Sequence, residues 1–171
     1  IRDSIIDMSE NEIEVPEDYT REELRQDLLC YTSPVLKENL VLTGDMTAEL
    51  YISSDAPDTD FVVRVTDVDE NGRSIKLADG LLSARYRNGF ARSEFLQEGE
   101  IVCLKIRTTK LSNCFRKGHR IRVTVTSSAK NFIFPNSNTR EGFASARTVV
   151  AHNRVYHGGL HASRLTVRVE P

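Results

Sequence analysis

From Leu28 onward, apolar and polar residues alternate with period two in short runs broken by turn residues. Successive side chains of an extended strand point to opposite faces, so each run reads as a strand with one buried face. Residues 119–126 give the clearest case: Ile121, Val123 and Val125 face one way, and Arg120, Arg122, Thr124 and Thr126 the other. The pattern recurs in Ala48, Leu50 and Ile52, in Val102, Leu104 and Ile106, and in Leu165, Val167 and Val169. Phe61, Val63 and Val65 repeat it, which assigns Arg64 and Thr66 to an outward face. Asn71-Gly72 offers the positive φ angles of a tight hairpin turn, and Asp79-Gly80, Asn88-Gly89 and Lys117-Gly118 punctuate the later strands. Eight or more strands at this spacing predict an all-β fold, a two-sheet β-sandwich of jelly-roll type.

The start of the chain differs in kind. Residues 1–31 hold 10 acidic and 3 basic side chains, whereas the remainder holds 15 and 20, so a net charge of −2 divides into −7 and +5. Residues 16–25 read as helix, because Thr20-Arg21-Glu22-Glu23 has capping-box spacing and an acidic first turn. Residues 28–32 fit either an extension of that helix or a first strand, and residues 1–15 read as an extended or poorly ordered lead-in. The chain therefore divides into an acidic lead-in over 1–27, with a short helical or extended segment, and a β-sandwich domain over 28–171. Its opening on Ile1 rather than Met is normal for a fragment of a longer product.

A chain of 171 residues can bury a sizeable core without disulfides. A near-neutral charge gives no basic footprint for nucleic acid, and no run approaches the roughly 18 apolar residues of a membrane span. Cys30, Cys103 and Cys114 are odd in number and widely spaced, which predicts buried free thiols rather than a disulfide framework or zinc site. Free thiols without a leader sequence favour the cytoplasm but leave the compartment open.

The residues offer little reactive chemistry. No G-x-S-x-G elbow, P-loop or G-x-G-x-x-G occurs. Asp67 through Gly72 copies the first half of an EF-hand loop, but Ala78 stands where the closing glutamate should, which favours a polar hairpin tip. His152, His157 and His161 lie within ten residues without a carboxylate or cysteine to complete a metal shell, and His119 reads as a structural hydrogen-bonding residue. Asp55, Asp58 and Asp60 form an acidic turn whose usual role is to bond nearby backbone N–H groups; a cation site or a glycosidic carboxylate pair is the sharper alternative. Arg85 and Arg87 lie two apart on an expected strand and share a face. Joined by Arg64 or Arg122, they would form either a stripe able to bind an anion or to pair with acids of another domain, or simply a solvated face. No catalytic residue, cofactor or metal is expected.

Longer stretches carry a family resemblance. Residues 44–61, GDMTAELYISSDAPDTDF, closely resemble the C-terminal domain of X-prolyl dipeptidyl-peptidase and cocaine-esterase-like (CocE/NonD) hydrolases. The likeness continues through residues 67–72, 80–87, 115–123 and the Asn136-Ser137-Asn138-Thr139 loop to residues 161–165, and covers about 28–171 in order. Ser137 and Ala162 replace prolines of the pattern, and the Ser-Ser-x-Phe-Pro segment is stretched to Ser127 through Pro135. What the resemblance implies is a galactose-binding-like jelly-roll module that follows an α/β-hydrolase domain and a helical cap. The catalytic Ser, Asp and His of such enzymes have no counterpart among these residues. The implied partners are those N-terminal α/β-hydrolase and cap domains, with a homo-oligomer as a further expectation. Asp58, Asp60, Arg64, Arg85 and Arg87 are the candidate interdomain contacts. An independent carbohydrate-binding module is the alternative, weakened by the absence of tryptophan.

Overall fold

The computed structural model describes residues 17–129 and 133–170. It is an antiparallel β-sandwich. One sheet has the order β1-β8-β4-β5, formed by Leu29–Thr32, Arg120–Thr126, Asp60–Val68 and Ser74–Ser83. The facing sheet has the order β12-β3-β6, formed by Arg164–Thr166, Thr47–Ser53 and Val102–Arg107, with β9 (Arg154–Val155) pairing the end of β3. β2 (Leu40–Gly44) pairs β7 (Leu111–Phe115), and β10 (His157–Gly158) pairs β11 (His161–Ala162) as a small ribbon.

The alternation seen in the sequence builds the core. Ala48, Leu50 and Ile52 of β3 and Leu104 and Ile106 of β6 meet Phe61 and Val63 of β4 and Val125 of β8 in one apolar cluster. A second cluster joins Leu42, Met46, Val65, Ala78 and Phe115 beneath the β2–β7 pair. Gly80 marks a close approach of β5 to β6: a Cβ there would lie 2.6 Å from the carbonyl oxygen of Arg107. The hairpin forms where Asn71-Gly72 predicts it, as a three-residue loop rather than a two-residue turn. Gly72 adopts φ +84°, and the Asp69 carboxylate accepts the N–H groups of Asn71 and Arg73.

Several expectations need correction. Among the described residues of the segment expected to be helical, only Glu22–Leu24 forms a 3-10 turn, and Pro16 lies outside them. Thr20 does not cap it, because its hydroxyl donates to Asp18 at 2.6 Å and accepts the Ser74 N–H at 2.9 Å. Residues 17–19 instead extend along the edge of β5, with Tyr19 N–H donating to Ser74 and Lys76 N–H to Glu17. The segment then crosses the outer face of the sheet. Glu23 accepts from Thr66 and Ser74 and pairs with Arg122, while the Arg64 guanidinium stacks 3.8 Å above the Tyr19 ring. Arg64 and Thr66 do lie opposite the core, yet both are buried.

The last strand run also divides. β12 ends at Thr166, after which Val169 bridges Leu42 of β2, so one alternating sequence serves two sheets. The thiols are not buried: Cys30 and Cys114 are exposed and Cys103 is half-buried, because each occupies a polar-facing position of its strand.

Candidate functional site

The densest polar cluster lies at one end of the sandwich, where three loops meet. Asp58 precedes β4, Asp60 opens it, and Arg85 sits in the 3-10 turn Ala84–Tyr86 rather than on a strand. The turn has a local cause. The Ala84 N–H donates to the Thr59 carbonyl and the Arg85 N–H to the Asp58 carboxylate, so the chain leaves the β5 ladder at this point. Arg85 and Arg87 therefore do not form the strand stripe that their spacing predicts.

Asp58 is 0% exposed and fully engaged. Arg85 donates to it from the backbone N–H at 2.9 Å and from Nε at 2.7 Å, and Asn136 Nδ2 adds a bond at 2.8 Å. The same Asn136 amide donates to Asp60 at 2.8 Å. The two terminal nitrogens of Arg85 donate to the carbonyl oxygens of Thr139 and Arg140. One ion pair thus fastens the loop before β4 to the loop over residues 136–142. Asn138 completes the knot at φ +59°, a left-handed conformation that asparagine tolerates, with its N–H donating to Asn136 and its side chain to the Val149 carbonyl. Above this frame opens a pocket of about 410 Å³, with Leu81, Tyr86, Ile133 and Phe134 among its walls.

The other expected contacts are also satisfied within the chain. Arg64 Nε lies 2.7 Å from Asp79, and Arg87 donates to the carbonyl oxygens of Ala84 and Glu94. The histidines are dispersed. His119 bonds Asp67 at 2.9 Å, His152 bonds Asp55 at 2.6 Å, and His157 bonds the Tyr31 hydroxyl at 2.9 Å. His161 packs between the rings of Tyr51 and Tyr156. Among the described residues no group of three or more His, Cys, Asp and Glu is placed to hold a metal ion. The EF-hand-like carboxylates point to His119 and to their own hairpin instead. Partial desolvation by their strand neighbours, with the nearby Glu23 and Glu49 carboxylates, pushes the Cys30 and Cys103 thiols up, away from the thiolate that nucleophilic attack requires. No helix among the described residues is long and apolar enough to cross a membrane. The arrangement can hold loops rigidly and present the surface above them.

Compared with known families, residues 8–166 match the X-Pro dipeptidyl-peptidase C-terminal non-catalytic domain. The chain belongs to this family. A cocaine esterase of Rhodococcus sp. (strain MB1 Bresler) is 37% identical over 150 residues, which cover 85% of this chain and 26% of that protein. Among solved structures, an aminopeptidase of the marine sediment archaeon Thaumarchaeota archaeon superposes with a TM-score of 0.86 at 25% identity, over 91% of this chain and 28% of the other. An α-amino acid ester hydrolase has the same TM-score at 24% identity, over 91% of this chain and 27% of its own, a likeness of fold. The chain thus spans about a quarter of the length of these relatives.

Two parts of this C-terminal domain escape a reading of the sequence. Glu23 and Tyr19 cover a sheet face from a segment that looks helical, and no periodicity points to them. Asn136, Asn138 and Thr139 stand out in the sequence only through the family resemblance, which assigns them no contact. The lead-in also carries a pH response. The Thr20 hydroxyl and N–H, and then Arg73, hold the Asp18 carboxyl at about 2, below its ordinary 3.8. A lowered folded value means that the stabilising contacts are present above the unfolded value and lost as pH falls through the folded one. Amide exchange at Tyr19 and Lys76 is therefore expected to quicken, relative to the core, as pH falls from 4 toward 2. A uniform response along β5 would contradict this.

Proposed function

We propose that this domain is the non-catalytic C-terminal β-sandwich of an α/β-hydrolase-type serine hydrolase, acting on X-Pro peptides or on acyl esters and amides. It packs against the catalytic and cap domains and helps to wall the active-site mouth. The relatives are hydrolases more than three times its length, which gives such a module a neighbour to pack on.

One observation carries the reading. Around the loop junction, Phe90, Phe134 and Val150 are 80%, 88% and 81% exposed, whereas the comparably exposed Leu24 and Leu160 stand singly, in the lead-in and at the β10–β11 turn. Apolar side chains grouped on an exposed face mark an interaction surface. Here Phe90 stacks on Tyr86, Phe134 overhangs the pocket, and Val149 and Val150 follow the segment tied to Asn138. The Asp58–Arg85 pair stiffens the loops before any partner arrives, which lowers the ordering cost of docking. In this reading Asp58, Arg85 and Arg87 support the interdomain face from behind, Asp60 opens onto it, and Arg64 secures the lead-in.

Substituting Phe134→Asp and Val150→Asp in the full-length hydrolase tests the proposal. Losing the burial of a large apolar side chain costs about 1.5–3 kcal/mol at each site. The sandwich and catalytic domain should then melt as two transitions, with KM raised, while this chain melts as before. A single unchanged transition would overturn the docking face.

A further inference from the structure

The pocket above the loop junction has an unbalanced floor. Three carboxylates line it, those of Asp58, Asp60 and Glu141, against one guanidinium, that of Arg85; Arg140 and Arg147 lie close enough to Glu141 to offset its charge, which leaves Asp60 as the uncompensated one. Arg85 is spent on Asp58 and on two carbonyl oxygens. Asp60 is only 6% exposed, yet its Oδ1 accepts a single bond, from Asn136, and among the described residues no cation pairs with it and Oδ2 has no partner. Its free oxygen faces the pocket space rather than being sealed in the core, so a positive group that enters can pair with it. Leu81, Tyr86, Ile133 and Phe134 supply apolar walls above the charge. A charged tip on an apolar stem matches both features, whereas a hydrated metal ion would leave the walls unused.

We propose that this pocket receives one guanidinium or alkylammonium group, and that the group is an arginine or lysine side chain of the catalytic domain docked on this face. The source of the side chain rests on the docking reading above, but the chemistry of the pocket does not. The charge across the contact runs opposite to the arginine stripe expected from the sequence: the arginines are neutralised at home, and Asp60 is the group left to recognise a partner.

Ethylguanidinium chloride, titrated into this chain and followed by amide NMR, tests the pocket. Saturable shifts are expected at the side-chain amide of Asn136 and at Leu81 and Gly142. Neutral ethylurea, of the same shape, should bind on the order of tenfold more weakly, as should ethylguanidinium to Asp60→Asn. Should Asp60→Asn fail to fold, Leu81→Lys supplies a tethered ammonium at the pocket wall and is expected to displace the probe. Equal binding of ethylurea, shifts away from the pocket, or an unaffected Leu81→Lys variant would overturn the site. The catalytic part of the same protein, added to saturation, should exclude the probe. If that assembly forms and still binds ethylguanidinium with unchanged affinity, the interdomain occupant is wrong while docking stands. If the parts do not associate, the docking reading falls and takes the occupant with it.

Discussion

Replacing Asp58 by alanine is expected to destabilise the domain by about 3–5 kcal/mol, because removing one partner of a buried ion pair leaves the other charge without compensation. At this chain length each kcal/mol moves the midpoint by roughly 2–4 °C, so thermal unfolding should begin on the order of 10 °C lower. The orphaned group is Arg85, whose Nε and backbone N–H both bind that carboxylate. Asn136 loses one of its two acceptors in the same step. Removing both charges, with Asp58→Ala and Arg85→Met together, should cost less than the sum of the two single changes, because neither charge is then stranded. Calorimetry of the four proteins checks the cycle. Strict additivity would mean that the pair does not act as a unit.

Arg64→Ala should be nearly as damaging, at about 3 kcal/mol, although its position in the sequence marks it as a surface residue. The change strips Asp79 of its closest cation and leaves Lys76 Nζ at 3.5 Å as a partial substitute. It also removes the plate on which Tyr19 rests. Residues 17–25 should therefore lose protection against amide exchange along with the fall in midpoint. Arg64→Lys keeps the charge but not the planar fork, and should recover only part of the loss. An unchanged midpoint in Arg64→Ala would show that this sheet face is solvated after all.

These two residues also show how far the sequence can be read. β3 is legible because Ala48, Leu50 and Ile52 are buried while Thr47, Glu49 and Tyr51 are less so, which is the condition that period-two reasoning assumes. β4 breaks that condition. Its burial is nearly continuous, because a polar face formed by Arg64 and Thr66 is covered by polar partners, Glu23 and Tyr19, more than forty positions away. Period two reports which face is apolar; it does not report which face is covered. Arg85 and Arg87 fail for a different reason: a side chain, Asp58, captures the backbone N–H that a strand would have used, and alternation cannot register that substitution. Residues 164–170 keep strand alternation throughout but change partners from β3 to β2 midway. The family resemblance was legible because it rests on long collinear stretches, and its residues 136–139 prove to be the loop that Arg85 fastens.

The most direct measurement is one titration: this chain added to the separately prepared catalytic part of the proposed parent hydrolase, with ester turnover and heat survival followed together. The account predicts no turnover from the chain by itself, and a saturable one-to-one gain in the heat survival of the catalytic part. Turnover by the chain alone that a serine-directed phosphonate abolishes, or a catalytic part indifferent to its presence, would contradict it.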